Sequence, residues 1–201
     1  MRLHYRLGWL LMLAFAKAAW GFRRNGAEWI PAEGPAIIAC NHVSNWDPIL
    51  VGLGSPRELH FMAKGELFGN RFVSALVRTF NALPVRRGVL DRGALRAASE
   101  VLGNGELLLM FPSGTRNASG EVRNPKSGVG FLACMNEVPV VPACLKGAND
   151  LGRAFFRGSG VEVTFGKPLQ ASKAESSDEY RAFSRRVADE IGRLKQEVDG
   201  R

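Results

Sequence analysis

Six short apolar runs, spaced along most of the chain, limit most strongly what this sequence can become. They fall at 36–40, 59–63, 82–85, 107–111, 138–145 and 161–165. The first is short, β-branched at its centre and entered through Gly34-Pro35, the pattern of a buried strand. Between most of them the spacing turns helical. Phe72, Leu76 and Phe80 fall on one face, as do Ala94, Ala98 and Val101 behind Asp91 as a cap. The alternation predicts an α/β fold with a mainly parallel sheet flanked by helices. A last helix opens with the capping-box pattern Ser176-x-x-Glu179 and carries the stripe Tyr180, Phe183, Val187, Ile191, Leu194, Val198. Arg181, Arg185, Arg186, Arg193 and Lys195 lie mostly off that stripe, as expected of a docked helix with a solvated basic flank.

At 201 residues, with 46% hydrophobic and 23% charged, the chain suits one ordinary globular domain and excludes wholesale disorder. The net charge of +8 favours an anionic partner: a phospholipid surface, a phosphorylated substrate, a nucleotide or a nucleic acid. The arginines are dispersed and no basic stripe with stacking aromatics appears, so a nucleic-acid partner is not expected. Cys40, Cys134 and Cys144 form an odd set in apolar surroundings, which reads as buried reduced thiols. His4 and His60 are isolated, and no Cys/His spacing suggests a metal site.

Residues 1–26 read as a unit apart from 27–201, the main domain. Arg2 and Arg6 precede the apolar stretch 7–16, which is short of the roughly 20 residues needed to span a bilayer. A cleaved signal peptide has this outline, and so does a helix packed into the domain. Lys17, Trp20, Arg23 and Arg24 follow at once, however, and cations with tryptophans at both ends favour a helix lying in the membrane headgroup zone.

Two stretches carry chemistry. The first is Asn41-His42-Val43-Ser44-Asn45-Trp46-Asp47-Pro48, directly after the first apolar run. On an unbroken helix, residues five apart point about 140° away from each other. The segment must therefore turn tightly if His42 and Asp47 are to meet, and Ser44, Asn45 and Pro48 favour turns. Once paired, Asp47 would hold one ring nitrogen and leave the other free to take a proton; the competing reading has each residue capping its own element. The second stretch runs from Leu107 to Asn117. Here Pro112 stops a strand, Gly114 permits a close turn with exposed amides, and Arg116 adds a fork of donors suited to phosphate. A plain strand-to-loop turn with a surface arginine is the alternative. Lys126 then opens an apolar helix whose start offers another place for an anion, and Arg86-Arg87-Gly88 ends a further strand.

Taken together and in order, these stretches resemble the 1-acyl-glycerol-3-phosphate acyltransferase family of glycerolipid acyltransferases. Residues 41–48 match its H-x4-D motif, and 111–116 are similar to its Phe-Pro-Glu-Gly-Thr-Arg block. The stretch Leu83 to Arg87 resembles the intervening motif that ends in arginine. The segments 138–143 and 63–68 resemble its proline-bearing strand and its lysine-containing stretch. The likeness runs from about Trp29 to Gly166. It implies an α/β acyltransferase fold, a thioester donor (acyl-CoA or acyl-carrier-protein), no other cofactor, and a membrane lipid product. The expected acceptor is 1-acyl-glycerol-3-phosphate, giving phosphatidic acid. A different lysolipid acceptor and a non-catalytic lipid-binding relative are the alternatives. One departure stands out, because the family glutamate of the third block, 111–116, is Ser113 here, which offers a hydroxyl but no charge.

On this reading His42, oriented by Asp47, is the general base. Lys64, Arg87 and Arg116 hold the acceptor phosphate, Gly114 and Thr115 shape its cradle, and Ser113 stands at the acceptor site. Direct transfer is expected rather than an acyl-enzyme, since Cys40 reads as core and Ser113 lacks a nucleophile-elbow context. A lysolipid in the bilayer and a soluble thioester on the reducing side meet at the cytoplasmic face of the inner or cell membrane, which is where the N-terminal helix and positive charge would place the enzyme.

Overall fold

The computed structural model describes residues 3–71, 74, 79–85, 91–157 and 160–200, excluding the side chains of residues 3, 4, 64, 67, 156 and 157. Its centre is a seven-stranded sheet in the order β1-β7-β6-β2-β5-β3-β4. The strands are β1 (Arg23–Asn25), β2 (Ala36–Cys40), β3 (Leu59–Lys64), β4 (Ala82–Val85), β5 (Leu107–Met110), β6 (Val140–Lys146) and β7 (Glu162–Phe165). All neighbours run parallel except β6 and β7. The six apolar runs of the sequence are the six strands β2 to β7.

The continuous apolar character of β2 follows from its place. It lies between β5 and β6, with Ile37 level with Leu108 on one side and Val140 on the other. Every residue of the strand is buried, so neither face can be polar. Ile38 and Cys40 face a layer that includes α1 (Leu3–Trp20) and α2 (Asp47–Gly54). Ile37 and Ala39 face α3 (Arg92–Gly103), α4 (Gly128–Asn136) and the last helix, α6 (Ser177–Asp199).

The expected caps form. Asp91 accepts from the Ala94 amide at 3.1 Å, and Ser176 and Glu179 complete both bonds of the capping box; such caps contribute about 1 kcal/mol each. The stripe of α6 is buried from Phe183 to Val198, with Tyr180 half-buried. Gly130 lets α4 approach α6 closely, because any side chain there would overlap the Tyr180 carbonyl. Its amide donates to Ser184 Oγ at 2.9 Å.

Two elements go beyond the sequence pattern. Arg23 and Arg24, read as flanking cations of the N-terminal helix, belong to β1, an exposed edge strand beside β7. Charge suits an edge, where unpaired backbone groups would otherwise invite another chain. The short helix α5 (Leu151–Arg157) packs against α1. Phe72 and Leu76 of the expected amphipathic face lie outside the described residues.

Candidate active site

The chain leaves β2 through α2 on one face of the sheet and leaves β5 through α4 on the other. Adjacent parallel strands whose connections part in this way open a crevice at their carboxyl ends. Both chemistry-bearing stretches enter that crevice, His42 two residues beyond β2 and Phe111 directly after β5.

After β2 the chain turns back on itself. His42 Nδ1 lies 2.7 Å from Asp47 Oδ2. The same carboxylate accepts from the Val43 amide at 2.6 Å and from the Ser44 amide at 2.9 Å. Asp47 is the first residue of α2 and points backwards into the turn, so it serves the histidine and the turn amides together. It is completely buried and His42 is 8% exposed. A buried carboxylate is tolerable only when its oxygens are this well occupied. Among the described residues no hydrogen bond is made to His42 Nε2.

Two further residues hold this turn, in roles with no local signature along the chain. Asn41 clamps the end of β2 to β6, its Nδ2 donating to the Leu145 carbonyl at 3.0 Å and its Oδ1 accepting from the Leu145 amide at 2.7 Å. Phe111 stacks on the His42 ring with centroids 4.1 Å apart and planes 16° from parallel. Cys40 beside them is buried, which pushes its thiol well above the ordinary value and disfavours the nucleophilic thiolate.

The turn after β5 is of another kind. Gly114 takes a left-handed conformation (φ 66°) and its amide donates to the Phe111 carbonyl at 2.9 Å. Ser113 Oγ donates to the Thr115 carbonyl at 2.7 Å. Thr115 and Arg116 are exposed. The Asn117 amide donates to the His42 carbonyl at 2.7 Å, tying this turn to the other. Lys64 ends β3 on the same edge of the sheet, level with Val85 of β4. Its side chain and all of Arg87 lie outside the described residues.

An apolar cavity opens one residue beyond Asp47. Pro48, Ile49 and Leu53 of α2 line it together with Trp9 and Met12 of α1 and Phe61 of β3. Trp9 Nε1 donates to the Gly52 carbonyl at 3.1 Å and locks the two helices together. The helix α1, expected to lie in a membrane headgroup zone with packing into the domain as an alternative, turns its inner face to this cavity.

An imidazole–carboxylate pair beside an exposed cationic turn, at the carboxyl edge of a mainly parallel sheet, suits general-base transfer to an anionic acceptor. The acyltransferase family profile matches residues 21–146, and the chain belongs to that family. It is 32% identical over 184 residues to the 1-acyl-sn-glycerol-3-phosphate acyltransferase of Bacillus subtilis, an alignment covering 89% of this chain and 90% of that one. The Streptococcus pneumoniae protein of the same name is 30% identical over 166 residues, covering 81% of this chain and 61% of its own. The crystal structure of the 1-acyl-sn-glycerophosphate (LPA) acyltransferase PlsC from Thermotoga maritima superposes with a TM-score of 0.76 at 29% identity, covering all of this chain and 85% of that one.

Proposed function

We propose that this enzyme moves a fatty acyl group from a thioester, acyl-CoA or acyl-carrier-protein, to the free hydroxyl of 1-acylglycerol 3-phosphate, giving phosphatidic acid. The observation that carries this reading is the 2.7 Å contact between His42 Nδ1 and Asp47, which leaves Nε2 without a hydrogen bond among the described residues.

His42 Nε2 takes the proton of the acceptor hydroxyl as its oxygen attacks the thioester carbonyl. Asp47 holds the tautomer and stabilises the imidazolium that forms. The tetrahedral intermediate collapses, the carbon–sulfur bond breaks, and the imidazolium returns its proton to the leaving thiolate. General-base help of this kind contributes roughly 10²–10⁴-fold. The cavity between α1 and α2 suits the acyl chain. Arg116, with Lys64 and Arg87, suits the acceptor phosphate, and Gly114 and Thr115 shape the cradle.

No helix among the described residues is long and apolar enough to cross a membrane. The outer face of α1 nevertheless presents Leu7, Leu10, Leu11 and Phe15 to solvent, Leu11 with 74% of its surface free. Lys17, Arg23 and Arg24 follow these residues in the chain, a combination suited to lying in an anionic headgroup layer on the cytoplasmic side.

Ser113 supports a second acceptor reading. The position where the family carries a carboxylate has only a hydroxyl, and that hydroxyl is spent on the Thr115 carbonyl. The deciding assay incubates purified enzyme with labelled acyl-CoA or acyl-carrier-protein and a panel of lysolipids, followed by lipid chromatography. Labelled phosphatidic acid from wild type and none above background from His42→Ala is the expected result. Equal signals from the two proteins would remove the enzymatic reading, and preference for a lysolipid without a phosphate monoester would favour the second acceptor.

A further inference from the structure

Lys126 opens a helix singled out in the sequence as a place for an anion, and the proposed reaction has not used it. Its backbone amide donates to the Pro112 carbonyl at 2.9 Å, which brings residue 126 alongside the turn after β5. Its side chain then lies across Gly114. A Cβ built on that glycine would stand 3.0 Å from Nζ and 3.1 Å from Cδ and Cε. The ammonium group therefore rests on the same short loop that carries Arg116.

The charges of this loop do not cancel. Between residues 111 and 127 the ionisable side chains are Arg116, Glu121, Arg123 and Lys126. Glu121 is taken by Arg123, with oxygen and nitrogen 2.6 Å apart. Among the described residues no carboxylate pairs with Arg116 or Lys126. Ser113 supplies none either, although it stands where a glutamate was expected. Two uncompensated cations thus share one exposed turn. The turn is joined to the catalytic histidine through Phe111, whose carbonyl takes the Gly114 amide and whose ring stacks on the imidazole.

We infer that Lys126 is a headgroup-binding residue that shares the acceptor's phosphate monoester with Arg116 across Gly114. This rests on the acyl-transfer reading above and adds to it a residue and a selectivity. A monoester carries close to two negative charges at neutral pH, so it gains from an ammonium added beside the guanidinium of Arg116. A zwitterionic diester headgroup or an uncharged one gains less. The glycine acquires a second reason to be glycine: beyond its left-handed φ, a Cβ there would make the lysine side chain give way by a few tenths of an ångström.

The test uses the full chain in mixed detergent micelles, comparing wild type with Lys126→Met and Lys126→Arg. Steady-state turnover is measured against 1-acylglycerol 3-phosphate and against the acyl donor separately. Binding of 1-acylglycerol 3-phosphate without donor is measured by calorimetry, with monoacylglycerol as the uncharged control. Lys126→Met should raise the acceptor KM and the calorimetric Kd by roughly tenfold, the size expected for losing one charge-assisted hydrogen bond. Donor KM, kcat and the melting temperature should stay close to wild type, monoacylglycerol should bind as before, and Lys126→Arg should recover most of the loss. An unchanged acceptor KM and Kd, or a fall in kcat alone, overturns the inference. If wild type fails to turn over the lysolipid, the acyl-transfer reading falls by itself and the calorimetry still decides Lys126. A Lys126→Met protein that does not fold would be replaced by Lys126→Gln under the same criteria.

Discussion

The turns that follow β2 and β5 leave adjacent strands at the same edge of the sheet, yet they are built on opposite principles. The first is buried, and its carboxylate is saturated by His42 and two backbone amides. The second lies open, with Thr115, Arg116 and Lys126 exposed and its two free cations aimed at solvent. The difference follows from the tasks. A proton acceptor must be held in one orientation and one tautomer, which requires hydrogen bonds made before substrate arrives. A charged headgroup arrives from a membrane surface and must be met by groups that are not already paired.

This contrast can be broken first at Asp47. Asp47→Asn keeps the shape but leaves a side-chain NH₂ facing backbone amides or the ring. Turnover should fall roughly 10²–10⁴-fold, and the unmet buried group should cost about 1–3 kcal/mol of stability. Steady-state kinetics beside calorimetric melting checks both, and a variant with normal kcat would show that the buried turn is only scaffolding. Arg116→Ala probes the other turn and should do the reverse. Acceptor KM should rise roughly tenfold or more, with stability unchanged to within about 0.5 kcal/mol. A large loss of stability instead would mean that this turn too is held by its own contacts.

The smallest expected effect sharpens the contrast through pH. Cys144 lies on β6 beside the Asn41 clamp, and burial followed by the nearby Asp199 charge pushes its thiol from 9.0 up to about 12. The folded state then holds the thiol proton more tightly than the unfolded chain does. Its contribution to stability is complete below pH about 9 and is lost as the pH rises towards about 12. Denaturation midpoints measured from pH 8 to 11 should fall, and Cys144→Ala should flatten part of that fall. An equally steep curve in the variant would assign the effect elsewhere.

Much of this molecule could be read along the chain. Six strands were visible as apolar runs, because a strand covered on both faces has no reason to alternate. Asp91, Ser176 and Glu179 announced their helices, since capping is a contact within four residues. The pairing of His42 with Asp47 was legible as a possibility for the same reason of proximity. β1 was not, because an edge strand of Arg-Arg-Asn forms only when β7 offers a partner 137 residues away, as the Asn25–Glu162 bond shows.

Local order along the chain therefore determined the α/β class, the caps and the tight turn that brings an imidazole to a carboxylate. Tertiary structure alone decided that Phe111 stacks on His42, that Asn41 grips Leu145 104 residues away, and that the inner face of α1 walls a cavity next to Asp47. The physical reason is range. Propensity and capping act between neighbours in sequence, whereas stacking, clamping and cavity walls depend on which strands lie side by side, and that order is set only when the whole sheet closes its core.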